Sequence, residues 1–131
     1  MPEGKLTEYF GSIEKSTLNN SFFRKVLFTG KHEQLVLMCL QKGEDIGEEV
    51  HEDTDQFFRI EEGEARFVLN GREHIARNGD AVIVPAGTRH NVINNSNEKP
   101  VRLYTVYSHP QHPDGTVEKT KEDTQKAEAT V

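Results

Sequence analysis

The chain has 131 residues, 34% hydrophobic and 8% aromatic with no tryptophan, and its 22 acidic against 16 basic residues give a formal net charge of −6. That length suffices for one ordinary domain, 1–131, that buries a core without disulfides or a structural metal. The acidic balance and the lack of a basic stripe exclude a nucleic-acid surface, and the longest apolar run, "LVLMCL" at 35–40, is far too short for a membrane span.

Residues 1–20 are mixed, with a turn or edge strand expected around Tyr9 and Phe10. The N-terminus "MPEGKLTEYF" carries no apolar h-region, so no secretory signal is expected in the chain as it stands. Together with a single cysteine, this predicts a reducing, cytoplasmic setting. Cys39 lies inside the apolar run and reads as a buried, inert thiol, since nothing nearby would depress its pKa. Two N-x-S triplets, at Asn19 and Asn94, are then accidental.

From residue 21 the pattern is strand after short strand: 21–28, 34–40, 47–51, 56–60, 64–69, 72–76, 81–84, 90–94 and 101–107. Turn signals divide them, among them "QKGED", "EEGE", "NGRE", "RNGD", "PAGT" and "NNSNEKP". Short strands at regular spacing with glycine at nearly every break predict an all-β sandwich or barrel. Alternation sets the faces. Ala65, Phe67 and Leu69 share one side and Glu64 and Arg66 the other. From His109 onward the prolines end the sheet and the polar remainder, 109–131, reads as a loosely docked tail; a short surface helix near 119–129 and plain disorder are both compatible with it. His109 and His112 read as solvated loop histidines, although their spacing would also suit a metal.

The stretch "GEEVHEDTDQFFRIEEG", 47–63, carries the chemistry. Period-two geometry puts Glu49, His51 and Asp53 on one face. Gln56 has the other parity, so a turn or bulge within "DTD" is needed to return it, after which Gln56, Phe58 and Ile60 share a face. Taken alone, the segment suits either a metal site at the mouth of an apolar strand or an ordinary polar loop.

The second half narrows the choice. "GDAVIVPAGTRHNVIN" reads Gly79, five residues, Pro85, one residue, Gly87, two residues, His90, three residues, Asn94. This spacing resembles, in full, the second motif of the cupin superfamily. Five fixed positions at ~5% average usage each coincide by chance on the order of once in a million starts. The first cupin motif, glycine-x5-His-x-His-x3,4-Glu-x6-glycine, falls on the earlier stretch with departures. His51 matches the first histidine, Asp53 stands at the second, Gln56 stands near the usual glutamate, Gly63 closes the motif, and Asp45 replaces the leading glycine.

The resemblance covers about residues 35–107 and implies a double-stranded β-helix, or jelly roll, that dimerises and holds a divalent transition metal (Zn, Fe, Mn or Ni) through His51, Gln56 and His90. Asp53 would supplement or orient that ion, and Glu49 on the same face is the candidate base or a further ligand, against the simpler reading of a solvated acid. Imidazole and carbonyl oxygen suit all of these metals. Glutamine in place of glutamate leaves the site one unit more positive, which favours an anionic partner unless Asp53 also binds. Arg59, Arg66 and Arg89 read as strand-exterior residues, and of Tyr104 and Tyr107, being of opposite parity, only one can face the cavity.

Two functional classes follow. One is a metal-dependent enzyme acting on a small molecule: an oxygenase with iron, manganese or nickel, an isomerase or lyase type with zinc. The other is a non-catalytic module that binds a small ligand as a sensor or store. A subgroup described as mannose-6-phosphate-isomerase-like is similar in shape. No hydrolase elbow, phosphate loop, dinucleotide fingerprint or H-E-x-x-H competes with these readings.

Overall fold

The structure, a computed structural model, describes residues 7–124. In chain order it runs α1 (Ile13–Leu18), β1 (Arg24–Thr29), β2 (Gln34–Leu40), β3 (Asp55–Glu62), β4 (Ala65–Leu69), β5 (Arg72–Ala76), β6 (Ala81–Val84), β7 (His90–Asn94), β8 (Val101–Ser108) and β9 (Val117–Glu118). Every strand pairing is antiparallel. One sheet has the order β6-β3-β8-β2-β1-β9 and the other β5-β4-β7, the crossed order of a jelly roll.

Alternation in the sequence decides which side chains face inward. Along β8, Val101, Leu103, Thr105 and Tyr107 are buried while their neighbours are half-buried. Gln56, Phe58 and Ile60 of β3 and Ala65, Phe67 and Leu69 of β4 do the same, and the rings of Phe58 and Phe67 meet edge-on at 5.1 Å between the sheets. Each such fully buried large apolar side chain adds about 1.5–3 kcal/mol. Strand β2 is buried on both faces because α1 lies over the outside of β2, β3 and β8. That cover explains the 1% exposure of Cys39, whose thiol burial pushes up.

Gly63 closes the turn between β3 and β4 with φ of 97°, and a Cβ there would lie 2.7 Å from the Pro100 carbonyl oxygen. Both the conformation and the close approach require glycine.

Three segments depart from the sequence reading. Helix α1 was not expected: six residues are too few for a helical period to stand out, and its start rests on Ser12, whose side chain accepts from the Lys15 N–H. The stretch 47–51 is not a regular strand. Residues 44–49 run beside β7 through isolated bridges, Asp45 to Ile93 and Glu49 to His90. At Gly47, φ of 105° breaks the ladder, and the Asn91 side chain accepts the Gly47 N–H instead.

The third is the tail, expected to dock only loosely, which joins the sheet as a strand where it is described. Strand β9 pairs with β1, Glu118 opposite Arg24, and residues 121–124 are helical. The pairing covers what would otherwise be the open edge of β1. The remainder of the helix considered near 119–129 lies outside the described residues.

Candidate metal centre

Glu49 and His90 form one close antiparallel pair: the Glu49 N–H donates to the His90 carbonyl at 2.8 Å and the His90 N–H to the Glu49 carbonyl at 2.9 Å. Directly opposed residues project to the same face, so this pair sets both side chains toward the interior. His51, two residues beyond Glu49, keeps that face, and its carbonyl is held by the Gly87 N–H at 2.8 Å. One ligating atom from each of Glu49, His51 and His90 lies within 4.8 Å of the others. An ion about 2.1 Å from each donor spaces its ligands roughly 3–4 Å apart, so small side-chain rotations bring the trio to ligating distance.

The ring nitrogens turned inward here, and an amide oxygen on the inner face of β3, have nothing else to bind. His90 Nδ1 lies 2.9 Å from the Thr88 carbonyl oxygen. A carbonyl only accepts, so Nδ1 carries the proton and Nε2 presents a bare lone pair. His90 Nε2, His51 Nε2 and Gln56 Oε1 are all buried and without a hydrogen-bond partner. Gln56 is 2% exposed, and its amide Nε2 donates to Thr105 Oγ1 at 3.0 Å, which leaves the oxygen as the free end. Thr105 in turn donates to the Phe57 carbonyl at 2.8 Å, so the amide is held from behind. Buried polar atoms are almost always paired. Two imidazole nitrogens and an amide oxygen left bare in one interior are a donor set that fits a divalent transition ion.

Electrostatics keep the acid ready. Burial raises the Glu49 carboxyl, but the His51 imidazole 3.7 Å away, with Arg24 and His90 behind it, outweighs burial and holds the group below its usual range. Tyr107, 1% exposed, sets its ring edge-on to His51 at 5.8 Å, and burial pushes its phenol above the usual range. His112 Nε2 lies 3.3 Å from the Tyr107 hydroxyl. Burial first, and then the charge of Arg24, push that imidazole down to about 4.

Among the residues singled out from sequence, Glu49, His51 and His90 come together, and Gln56 sits on the inner face of β3 opposite Tyr107. Asp53 does not join them. It is exposed in the turn before β3, and its carboxylate accepts from the Thr54 hydroxyl at 3.2 Å, because the turn that returns Gln56 to the inner face carries Asp53 outward. Tyr107 is the inward tyrosine, while Tyr104 stacks near Phe57 on the outer face. Arg59, Arg66 and Arg89 pair with Glu61, Glu73 and Glu48 outside the barrel.

His112, expected in solvent, is half-buried because the tail folds back over the Tyr107 end of β8. Arg24 escaped the sequence reading altogether. It shares parity with Val26 on β1, which was its only signal, and it is 3% exposed. A surface hollow of about 750 Å³, lined by Glu62, Arg77 and Lys99 among others, contains none of the cluster.

Crossed antiparallel sheets with an inward histidine from each of two separated segments define a jelly-roll protein with a candidate metal pocket. The Cupin domain family profile matches residues 36–107, and the chain belongs to the cupin family. Uncharacterized protein YrkC of Bacillus subtilis (strain 168) is 47% identical over 123 residues, 89% of this chain; the chain spans 66% of that relative, just under two thirds of its length. The crystal structure of BH2720 from Bacillus halodurans is similar with a TM-score of 0.88 and 41% identity, over 95% of this chain and 97% of that one. Quercetin 2,3-dioxygenase of Bacillus subtilis (strain 168) is 27% identical over 99 residues, 65% of this chain and 29% of that enzyme. None of these three is named a mannose-6-phosphate isomerase. Among the described residues, no helix is long and apolar enough to cross a membrane.

Proposed function

We propose that the whole chain, as one cupin domain, is a metal-dependent enzyme that acts on a small molecule bound inside the barrel. His51, His90 and Gln56 would hold a divalent transition ion, and Glu49 would complete the set. The observation that supports this reading is the gathering of the buried, unpartnered Nε2 atoms of His51 and His90 beside the Glu49 carboxylate, with the Gln56 amide oxygen also unpartnered on the inner face of β3. A bound ion of this kind supplies Lewis acidity or redox chemistry to a substrate.

The chain's own residues supply the rest. The Thr88 carbonyl fixes the His90 tautomer, and Thr105 orients the Gln56 amide. Phe58, 6.4 Å from the His90 ring, lines the apolar floor that keeps bulk water out. A carboxyl held below its usual range suits a ligand better than a base, since a low pKa weakens proton abstraction, so Glu49 would serve to hold the ion more than to take a proton. Asp53, exposed and engaged with Thr54, is left out of the set. A homodimer in the cytoplasm completes the proposal. The likeness to a dioxygenase favours the oxygenase form over the isomerase or lyase form.

The test is metal analysis of protein reconstituted separately with Fe, Mn, Ni and Zn, followed by oxygen uptake on a panel of diketones and small acids. About one ion per chain, lost in His51→Ala and His90→Ala, is expected. Stoichiometry near zero after reconstitution overturns the metal centre, and full loading without turnover on any substrate reduces the protein to a ligand-binding module.

A further inference from the structure

Among the described residues, six buried side-chain atoms lack a hydrogen-bond partner. Three belong to the metal pocket. A fourth is Nε of Arg24, on the inner face of β1 with Val26 and across from Met38, both core residues. Its guanidinium is nearly fully buried, donates from Nη1 to Glu118 Oε1 at 2.7 Å and to Thr124 Oγ1 at 3.4 Å, and lies over the Phe23 ring at 5.3 Å. Those contacts use the Nη1 side of the fork. The Nε–H, on the other side, is left bare.

A salt bridge needed only to fasten β9 gains little from an arginine, since buried ion pairs are often matched by apolar pairs of the same volume. A buried donor left without an acceptor costs about 1–3 kcal/mol, a penalty that a bound ligand removes. Val26 and Met38 beside Arg24 belong to the same core cluster as Tyr107, whose ring meets that of His51, and the charge of Arg24 is felt at Glu49, Tyr107 and His112.

We infer that, given the metal centre proposed above, Arg24 is the anion-holding residue of this site and that the bound molecule is a small carboxylate. Charge selects the ligand. A divalent ion and Arg24 bring three positive charges, and Glu49 and Glu118 bring two negative ones, which leaves room for one anionic charge. A carboxylate matches that charge and the flat edge of a guanidinium. A phosphate dianion would overfill the site. Glu118 holds the other side of the fork from within the chain, so it competes with the ligand by its charge and not for the same edge, and it also braces β9.

The experiment follows the Arg24 Nε–H signal by ¹⁵N NMR, assigned by its disappearance in Arg24→Lys, in both metal-free and zinc-loaded protein. Acetate, pyruvate and lactate are titrated against acetamide, methyl pyruvate and inorganic phosphate. Carboxylates are expected to move the signal saturably and the neutral analogues to leave it in place. Arg24→Lys keeps the charge but loses the edge, so carboxylate affinity, followed in that variant by the His51 and His90 ring signals, drops about tenfold. Glu118→Gln removes the competitor and tightens binding by about the same factor, an effect that a merely structural arginine would not produce. An Nε–H unmoved by every carboxylate in both states, or moved by phosphate alone, overturns the inference. Zinc uptake is read separately from the His51 and His90 ring signals, so loss of the metal centre and loss of the carboxylate site give different spectra.

Discussion

His90 reaches the pocket on a regular strand, β7, behind a stretch that keeps every position of its motif, whereas Glu49 and His51 arrive on a segment with only isolated bridges. The two regions lie side by side, joined by the backbone pair of Glu49 and His90. Their difference teaches where a barrel tolerates change. The 79–94 region fixes one ligand in direction and tautomer by aiming its ring at the Thr88 backbone carbonyl, an acceptor that a change of the Thr88 side chain leaves in place. The 44–53 region presents Glu49 and His51 from a broken ladder, so exchanges there alter the charge of the site without disturbing the sheets. Asp45 and Asp53 depart from the family pattern on that side, and Gln56 departs from it just beyond, at the start of β3.

The largest effect that tests this contrast is ligand removal. His90→Ala and His51→Ala are each expected to weaken metal binding by more than about a hundredfold, measured by competition with a chromophoric chelator. The His90 variant should keep its melting temperature more nearly intact, because the backbone pairing of β7 survives it.

Next come two glycines, one in the β3–β4 hairpin and one in the irregular segment. Gly63→Ala should destabilise the fold by about 2–4 kcal/mol, from its φ and from the 2.7 Å approach to Pro100. Gly47→Ala meets no atom within 4 Å, so only the conformational penalty remains, about 1 kcal/mol. Urea unfolding of both variants reads the difference, and equal losses would mean that the broken ladder is as rigid as the hairpin.

Gln56→Glu sharpens the comparison from inside the site. A charged oxygen toward the ion should tighten metal binding about tenfold. In metal-free protein the same change sets a carboxylate oxygen against Thr105 Oγ1, whose proton is already given to Phe57. Stability without metal should therefore fall by about 1–3 kcal/mol, so calorimetry with and without zinc should show opposite signs. A loss in both states would remove Gln56 from the ligand set.

The smallest predicted effect concerns His112. Its folded pKa lies below the unfolded value, so the unfolded chain binds the extra proton first and stability declines as pH falls from about 6.5 toward about 4. The full decline should amount to about 1–2 kcal/mol, trimmed by the ring's remaining contact with solvent. His112→Gln should flatten that part of the curve of melting temperature against pH, and an unchanged slope would assign the acid sensitivity elsewhere.

Much of the fold was legible along the chain, because strands of period two write their inner and outer faces into the order of residues. Phe58, Phe67, Leu103 and Val92 alternate with their half-buried neighbours, and glycines mark nearly every turn. The spacing from Gly79 to Asn94 carried His90 and the family with it, and His51 followed at its own motif position.

The rest depended on contacts between distant segments. Whether Glu49 or Asp53 turned inward was decided by the bridge to His90 and by a turn whose direction the letters "EDTD" do not encode. Arg24 and Glu118 lie 94 positions apart and meet only because the tail returns to pair with β1. His112 left solvent for the same reason. Local alternation records burial, since it follows from backbone geometry one residue at a time. The company a polar group keeps inside the barrel belongs to the closed structure, because desolvation and charge act across space without regard to sequence.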